Sequence, residues 1–195
     1  MKDGSKPGRR LKPAGVEIIT VVVLLIAGTF MAFMTPLGAG YDEDQHLYRV
    51  WQLSDLQIIT REIPARQAKF PEIYFELSYR KQPLIESVGF DYWAKYGSEG
   101  LYDRGYHYGP LNSRSNYSPV LLFPQAVVMR YLGRRAELPA LWVYFATRLA
   151  GLLAYTFLAW LAVRWLPFGK WILMVLAVAP MAVYQAATIS ADSIS

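Results

Sequence analysis

Asp42, Glu43, Asp44 and His46 crowd three carboxylates and an imidazole into a few residues of the stretch TPLGAGYDEDQHLYRVWQL, 35–53. A carboxylate at a membrane surface can act as general base toward a hydroxyl, because the low-dielectric interface raises its pKa toward the working pH. Asp42 and His46 stand four apart, one helical turn, so both can face one site or one divalent ion. Two ligands do not make a metal site, and the others would have to come from elsewhere in the chain. The same residues also suit a plainer role. Asp42 can cap a helix, and acids in a first turn complement the helix dipole.

Arg148 is the second candidate. It is the one charge in the apolar run ALWVYFATRLAGLLAYTFLAWLAV, 140–163. A charge inside a span costs about 2.5–3.5 kcal/mol on insertion scales and faces a partner or a cavity. Its guanidinium can hold a lipid phosphate in a bidentate bond, or pair with an acidic loop residue. Asp192, in ATISADS, is a further acid or an ordinary polar residue after a span. His107 and the acceptor-like triplet Asn116-Tyr117-Ser118 fit a surface loop.

These residues need elements to hold them. The run VEIITVVVLLIAGTFMAFM, 16–34, has the roughly twenty residues needed to cross a bilayer. It is longer than a signal-peptide core, and PLGAG is a poor cleavage site, so it reads as a retained anchor. The segments 140–163 and WILMVLAVAPMAVYQAATIS, 171–190, read as a second and third span, with Pro180 kinking the third and freeing a carbonyl that needs a neighbour. Between them RWLPFGK is a tight turn flanked by Arg164 and Lys170. The basic tail (Lys2, Lys6, Arg9, Arg10, Lys12) and this turn fall on one side of a three-span topology, as the positive-inside rule requires. Residues 35–139 and the end at 191–195 then lie outside. Trp142, Tyr144, Trp160, Trp165 and Trp171 sit near span ends, where amphipathic rings favour headgroup depth.

Within the outer segment, Asp42 to Gln57 carries a helical apolar stripe. Residues 62–83, with three prolines, read as extended chain with short turns or strands, and the Tyr- and Gly-rich stretch 89–119 reads as an ordered loop. Ser118 to Gly133 has a Ser cap, Pro in the first turn and Gly at the end, and is too short to span, so it lies at or dips into the interface.

The expected fold is therefore mainly α. It is a polytopic α-helical membrane protein with three transmembrane helices and a large outer loop carrying amphipathic or juxtamembrane helices. The divisions are a cytoplasmic basic tail 1–15, spans at 16–34, 140–163 and 171–190, an extracytoplasmic loop domain 35–139, a cytoplasmic turn 164–170 and an extracytoplasmic end 191–195. With no cysteine, disulfides, thiolate metal sites and cysteine nucleophiles are excluded. The net charge of +5 is mostly the tail, and residues 35–137 carry twelve basic and twelve acidic side chains, so nucleic acid is not an expected partner.

TPLGAGYDEDQHLYRVWQL, YSPVLLFPQAV, YFATRLAGLL and APMAVYQAATISADS together resemble the start of a bacterial family of polytopic membrane proteins of unknown function, related to the GT-C glycosyltransferases. The pattern falls on Asp42, Glu43, His46 and Arg49, then Tyr117, Pro119, Pro124 and Gln125, then Arg148, and last Pro180, Met181, Ser190 and Asp192. The resemblance implies an inverting transferase in the bacterial inner membrane, N-terminus cytoplasmic, with a polyprenyl-phosphate sugar donor at the outer leaflet and a glycan or other hydroxyl acceptor. Carried over, Asp42 is the base and Glu43 its partner. Arg148 and Arg49 hold the donor phosphate, and His46 and Asp192 belong to the substrate site. No resident cofactor is implied, although a divalent metal is compatible. Relatives have more spans, so the chain is expected to be the N-terminal part of a longer protein and inactive alone. The alternative is a non-catalytic three-span membrane module that binds a partner or polysaccharide through its outer loop.

Overall fold

The computed structural model describes residues 14–58, 67–78, 90–110 and 118–191. Two helices form its axis, α1 (Ala14–Met34) and α6 (Ala140–Trp165), and both are long and apolar enough to cross a membrane. They run antiparallel. Gly28 of α1 lets Leu152 of α6 come so close that an added Cβ would lie 2.3 Å from its Cδ1. Near the start of α1 the Lys170 ammonium donates to the Glu17 carboxylate at 2.7 Å. Glu17 thus lies at the end of the helix pair that also holds Arg164 and Lys170, and Asp42 lies at the other.

The expected third span is not one helix. The chain forms α7 (Lys170–Ala177) and α8 (Pro180–Ala186), broken at Val178–Ala179. Proline has no N–H to continue α7, and it starts α8 at the first position instead. The carbonyl freed at Ala177 accepts a 2.8 Å bond from the Tyr155 hydroxyl of α6, so the break is satisfied internally. After α8, residues 187–191 are buried and return toward α2 (Glu43–Ser54).

Between the long helices lies a small domain. It holds α2, the antiparallel pair β1 (Gln67–Pro71) and β2 (Tyr106–Pro110), and the short helices α3 (Glu72–Glu76) and α4 (Phe90–Tyr96). The stretch expected as loop at 89–119 thus contains a helix and a strand. Tyr92 and Tyr96, one turn apart, are both buried in the aromatic core, so tertiary packing decides that segment. Tyr144 also belongs to this core, 1% exposed, rather than to a headgroup belt.

α5 (Pro119–Val128) continues into a wider π-helical stretch, Met129–Arg135, before turning into α6. Ser118 occupies the cap position but makes no side-chain capping bond. Gln125 meets Gly151 and Gly133 meets Val143, so this helix runs antiparallel along the first half of α6. Asn116 and Tyr117 lie outside the described residues.

Candidate functional site

The loop 35–42 joins α1 to α2 and is held from every side. The Tyr144 hydroxyl accepts from the Gly38 amide at 2.9 Å, and the Tyr184 hydroxyl donates to the Ala39 carbonyl at 2.7 Å. Gly38 has φ +73°, a conformation that glycine adopts without steric cost. Gly40 packs so tightly that a Cβ would lie 2.8 Å from Thr188 Cβ and 2.9 Å from the Glu43 carboxylate.

The centre of this knot is an ion pair between Arg148 and Glu43, both fully buried and 2.7 Å apart. Arg148 uses all five of its N–H donors. Nε and Nη2 donate to the two oxygens of Glu43, Nη1 to the carbonyls of Ala32 and Thr35, and Nη2 also to that of Pro36. The carboxylate is equally occupied, because it also accepts from the amides of Gly40 and Ile189. The guanidinium therefore caps the carbonyl end of α1, where the helix dipole favours a cation. Of the roles open to Arg148, this geometry gives it an acidic loop residue as partner, and no donor remains for a phosphate in this conformation.

Glu43 points inward, whereas the acids on either side, Asp42 and Asp44, are half-buried. Asp42 takes the cap position with a left-handed backbone, φ 52° and ψ 23°, and its side chain makes no capping bond. Its Oδ1 instead accepts from the Gln45 side chain at 3.1 Å. A left-handed non-glycine residue is uncommon, and such conformations gather at functional sites. On the same helix face as Asp44, burial first, then Asp44 and Glu72, push the Tyr48 hydroxyl up to about 12.

His46 is 1% exposed, on the buried face of α2. Arg49 is also buried, and it donates to the carbonyls of Gln57 at 3.3 Å and Ile58 at 2.6 Å. Burial lowers its pKa. These bonds tie down the loop after α2. Asp192 lies outside the described residues, three positions after Ile189. Among the described residues, no three or more His, Asp or Glu side chains come together as a metal site. Sequence reasoning missed Tyr144, Tyr184, Gly40 and the Ile189 amide. The only local signal was the Pro-Gly-Gly content of TPLGAG, which marks a tight loop.

Residues 25–195 match the model of a family described as predicted membrane protein (DUF2142). The chain belongs to this family. No curated protein and no solved structure matches it. This family of membrane proteins is the frame for α1 and α6, and the coupled loop, ion pair and α8 return are the part of it that converges on one place.

Proposed function

We propose that this DUF2142 member is part of a GT-C-like inverting glycosyltransferase of the bacterial inner membrane, using a polyprenyl-phosphate sugar at the outer leaflet for cell-surface glycan assembly. The observation that carries the reading is Asp42. It is an acid at the end of the two long helices, in a left-handed backbone beside a saturated ion pair, with its carboxylate not used as a helix cap. In the proposed step Asp42 takes the proton of the acceptor hydroxyl. The oxygen forms a bond to the anomeric carbon from the face opposite the donor, and the bond from that carbon to the phosphate oxygen breaks. The polyprenyl phosphate leaves with the electron pair, and configuration inverts.

Glu43 and Arg148 are positioning residues in this scheme. They fix the loop that carries Asp42. His46 and Arg49 support α2 from its buried face, and Asp192 is the second acid to test.

The test is Asp42→Asn in the chromosomal gene, read by monosaccharide analysis of the cell envelope and by abundance of the membrane protein. The expected result is a loss of transfer of about 10²–10⁴-fold, the usual weight of a general base, at unchanged abundance. Unchanged envelope sugars would remove Asp42 from the chemistry and leave the outer domain as a binding module.

A further inference from the structure

A second feature lies at the opposite end of α2. Leu53, Leu56 and Ile58 face Pro119, Val120, Phe123, Pro124 and Val127 of α5 across an apolar groove of about 370 Å³. Among the described residues, Arg130 is the charged one that lines it. The groove is built rather than incidental. Leu56 has φ 61°, a strained conformation for a bulky residue, and it is 66% exposed. The loop that displays it and Ile58 is pinned by the two carbonyl bonds from buried Arg49.

The depth of the groove follows from the helix register. Gln125 lies against Gly151, one turn beyond Arg148, which binds the carbonyls at the end of α1. By the same register Arg130 lies level with the end of the apolar run of α1, where a hydrocarbon layer crossed by that run would end. Val120, ten positions earlier and 76% exposed, is about 15 Å deeper at 1.5 Å per residue. That is half of a hydrocarbon core of about 30 Å, one leaflet. Arg130 donates one bond, to the Ser54 carbonyl at 2.7 Å, and its other donors can face the mouth of the groove.

We propose that this groove seats one acyl chain of an anionic glycerophospholipid, with the lipid phosphate on Arg130. The one-leaflet length suits such a chain, and the Arg130 guanidinium suits its headgroup. Along α2 the groove is about 16 Å from Asp42, so the site is separate from the proposed transfer chemistry and does not depend on it.

A photoreactive benzoylphenylalanine replacing Phe123, in the full chain reconstituted into vesicles of equal phosphatidylglycerol and phosphatidylcholine, reads the occupant directly by mass of the adduct. The expected result is a preference for phosphatidylglycerol of about fivefold, the effect of one arginine near an anionic surface. The same label at lipid-facing Phe157 (57% exposed) should show no preference. Arg130→Gln should abolish the preference and Arg130→Lys keep part of it. Because Arg130 also holds Ser54, Val127→Trp provides a second variant, which fills the groove with Arg130 intact and should remove the adduct. Equal labelling of both lipids at position 123, a preference that survives Arg130→Gln, an adduct to peptide, or displacement by equimolar polyprenyl phosphate would each overturn the proposal.

Discussion

Glu43 and Arg148 are separated by 105 positions, yet every donor of one and both oxygens of the other are filled. Breaking a buried pair leaves an uncompensated charge, which costs about 3–5 kcal/mol. Glu43→Gln or Arg148→Gln is therefore expected to lower stability by that amount in detergent unfolding. The double variant should lose less than the sum of the two. Asp42→Asn, which removes no capping bond and keeps a residue tolerant of the left-handed region, should stay within about 0.5 kcal/mol. Equal losses at positions 42 and 43 would contradict this division of labour. The buried and half-buried tyrosines predict a second effect. The hydroxyls of Tyr48, Tyr74, Tyr92 and Tyr102 are all raised above 10, by burial first. An acid with a raised folded-state pKa contributes stability that is fully present below its unfolded pKa and lost as pH rises through the folded value. Unfolding should therefore begin above pH 10 and proceed through about 12, where Tyr48 ionises. Ultraviolet titration of tyrosinate should show it coinciding with loss of helix by circular dichroism. Tyrosines that ionise near pH 10 without unfolding would show that they are accessible.

At the scale of elements, the two long helices were legible because length and apolarity alone mark a helix able to cross a membrane. The expected 16–34 and 140–163 correspond to Ala14–Met34 and Ala140–Trp165. The helix at 42–57 was legible from its stripe and appears at Glu43–Ser54. The expected third span is instead two short helices: Pro180 was legible as a kink, whereas in the fold α7 has ended before it and it starts α8. Not legible was α4, whose tyrosines form a helix only because the core receives them. In the candidate site, the acids were visible as types, but which of the three points inward depends on Arg148, Gly40 and Ile189, partners set by tertiary contact. One consequence can be measured at the break. Tyr155→Phe removes the hydroxyl that satisfies Ala177. Hydrogen bonds between membrane helices are worth about 0.6 kcal/mol, up to about 1.7. The variant should be less stable by that amount in steric-trap or detergent unfolding, with faster hydrogen exchange confined to the α7–α8 junction. Unchanged exchange there would mean the carbonyl is solvated from another source.

For the molecule as a whole, the distribution of charge separates its two ends. The Lys170–Glu17 pair and Arg164 mark one end of the α1–α6 axis, and the loop 35–42 with Asp42 and Asp44 marks the other. On the proposed topology the turn rich in Lys and Arg stays cytoplasmic and Asp42 faces outward, the side on which the proposed lipid-linked donor would be presented. These 195 residues hold no cysteine, so a single substitution adds the one thiol among them. Tyr41, 62% exposed beside Asp42, and Phe168, 79% exposed in the turn before α7, are suitable positions. Tyr41→Cys should react with a membrane-impermeant maleimide in intact cells whose outer envelope has been opened. Phe168→Cys should react only after the inner membrane is lysed. Labelling in the reverse order would put the acids in the cytoplasm. A base acting on an outer-leaflet polyprenyl-phosphate sugar would then be impossible at Asp42, whatever the outcome of its substitution.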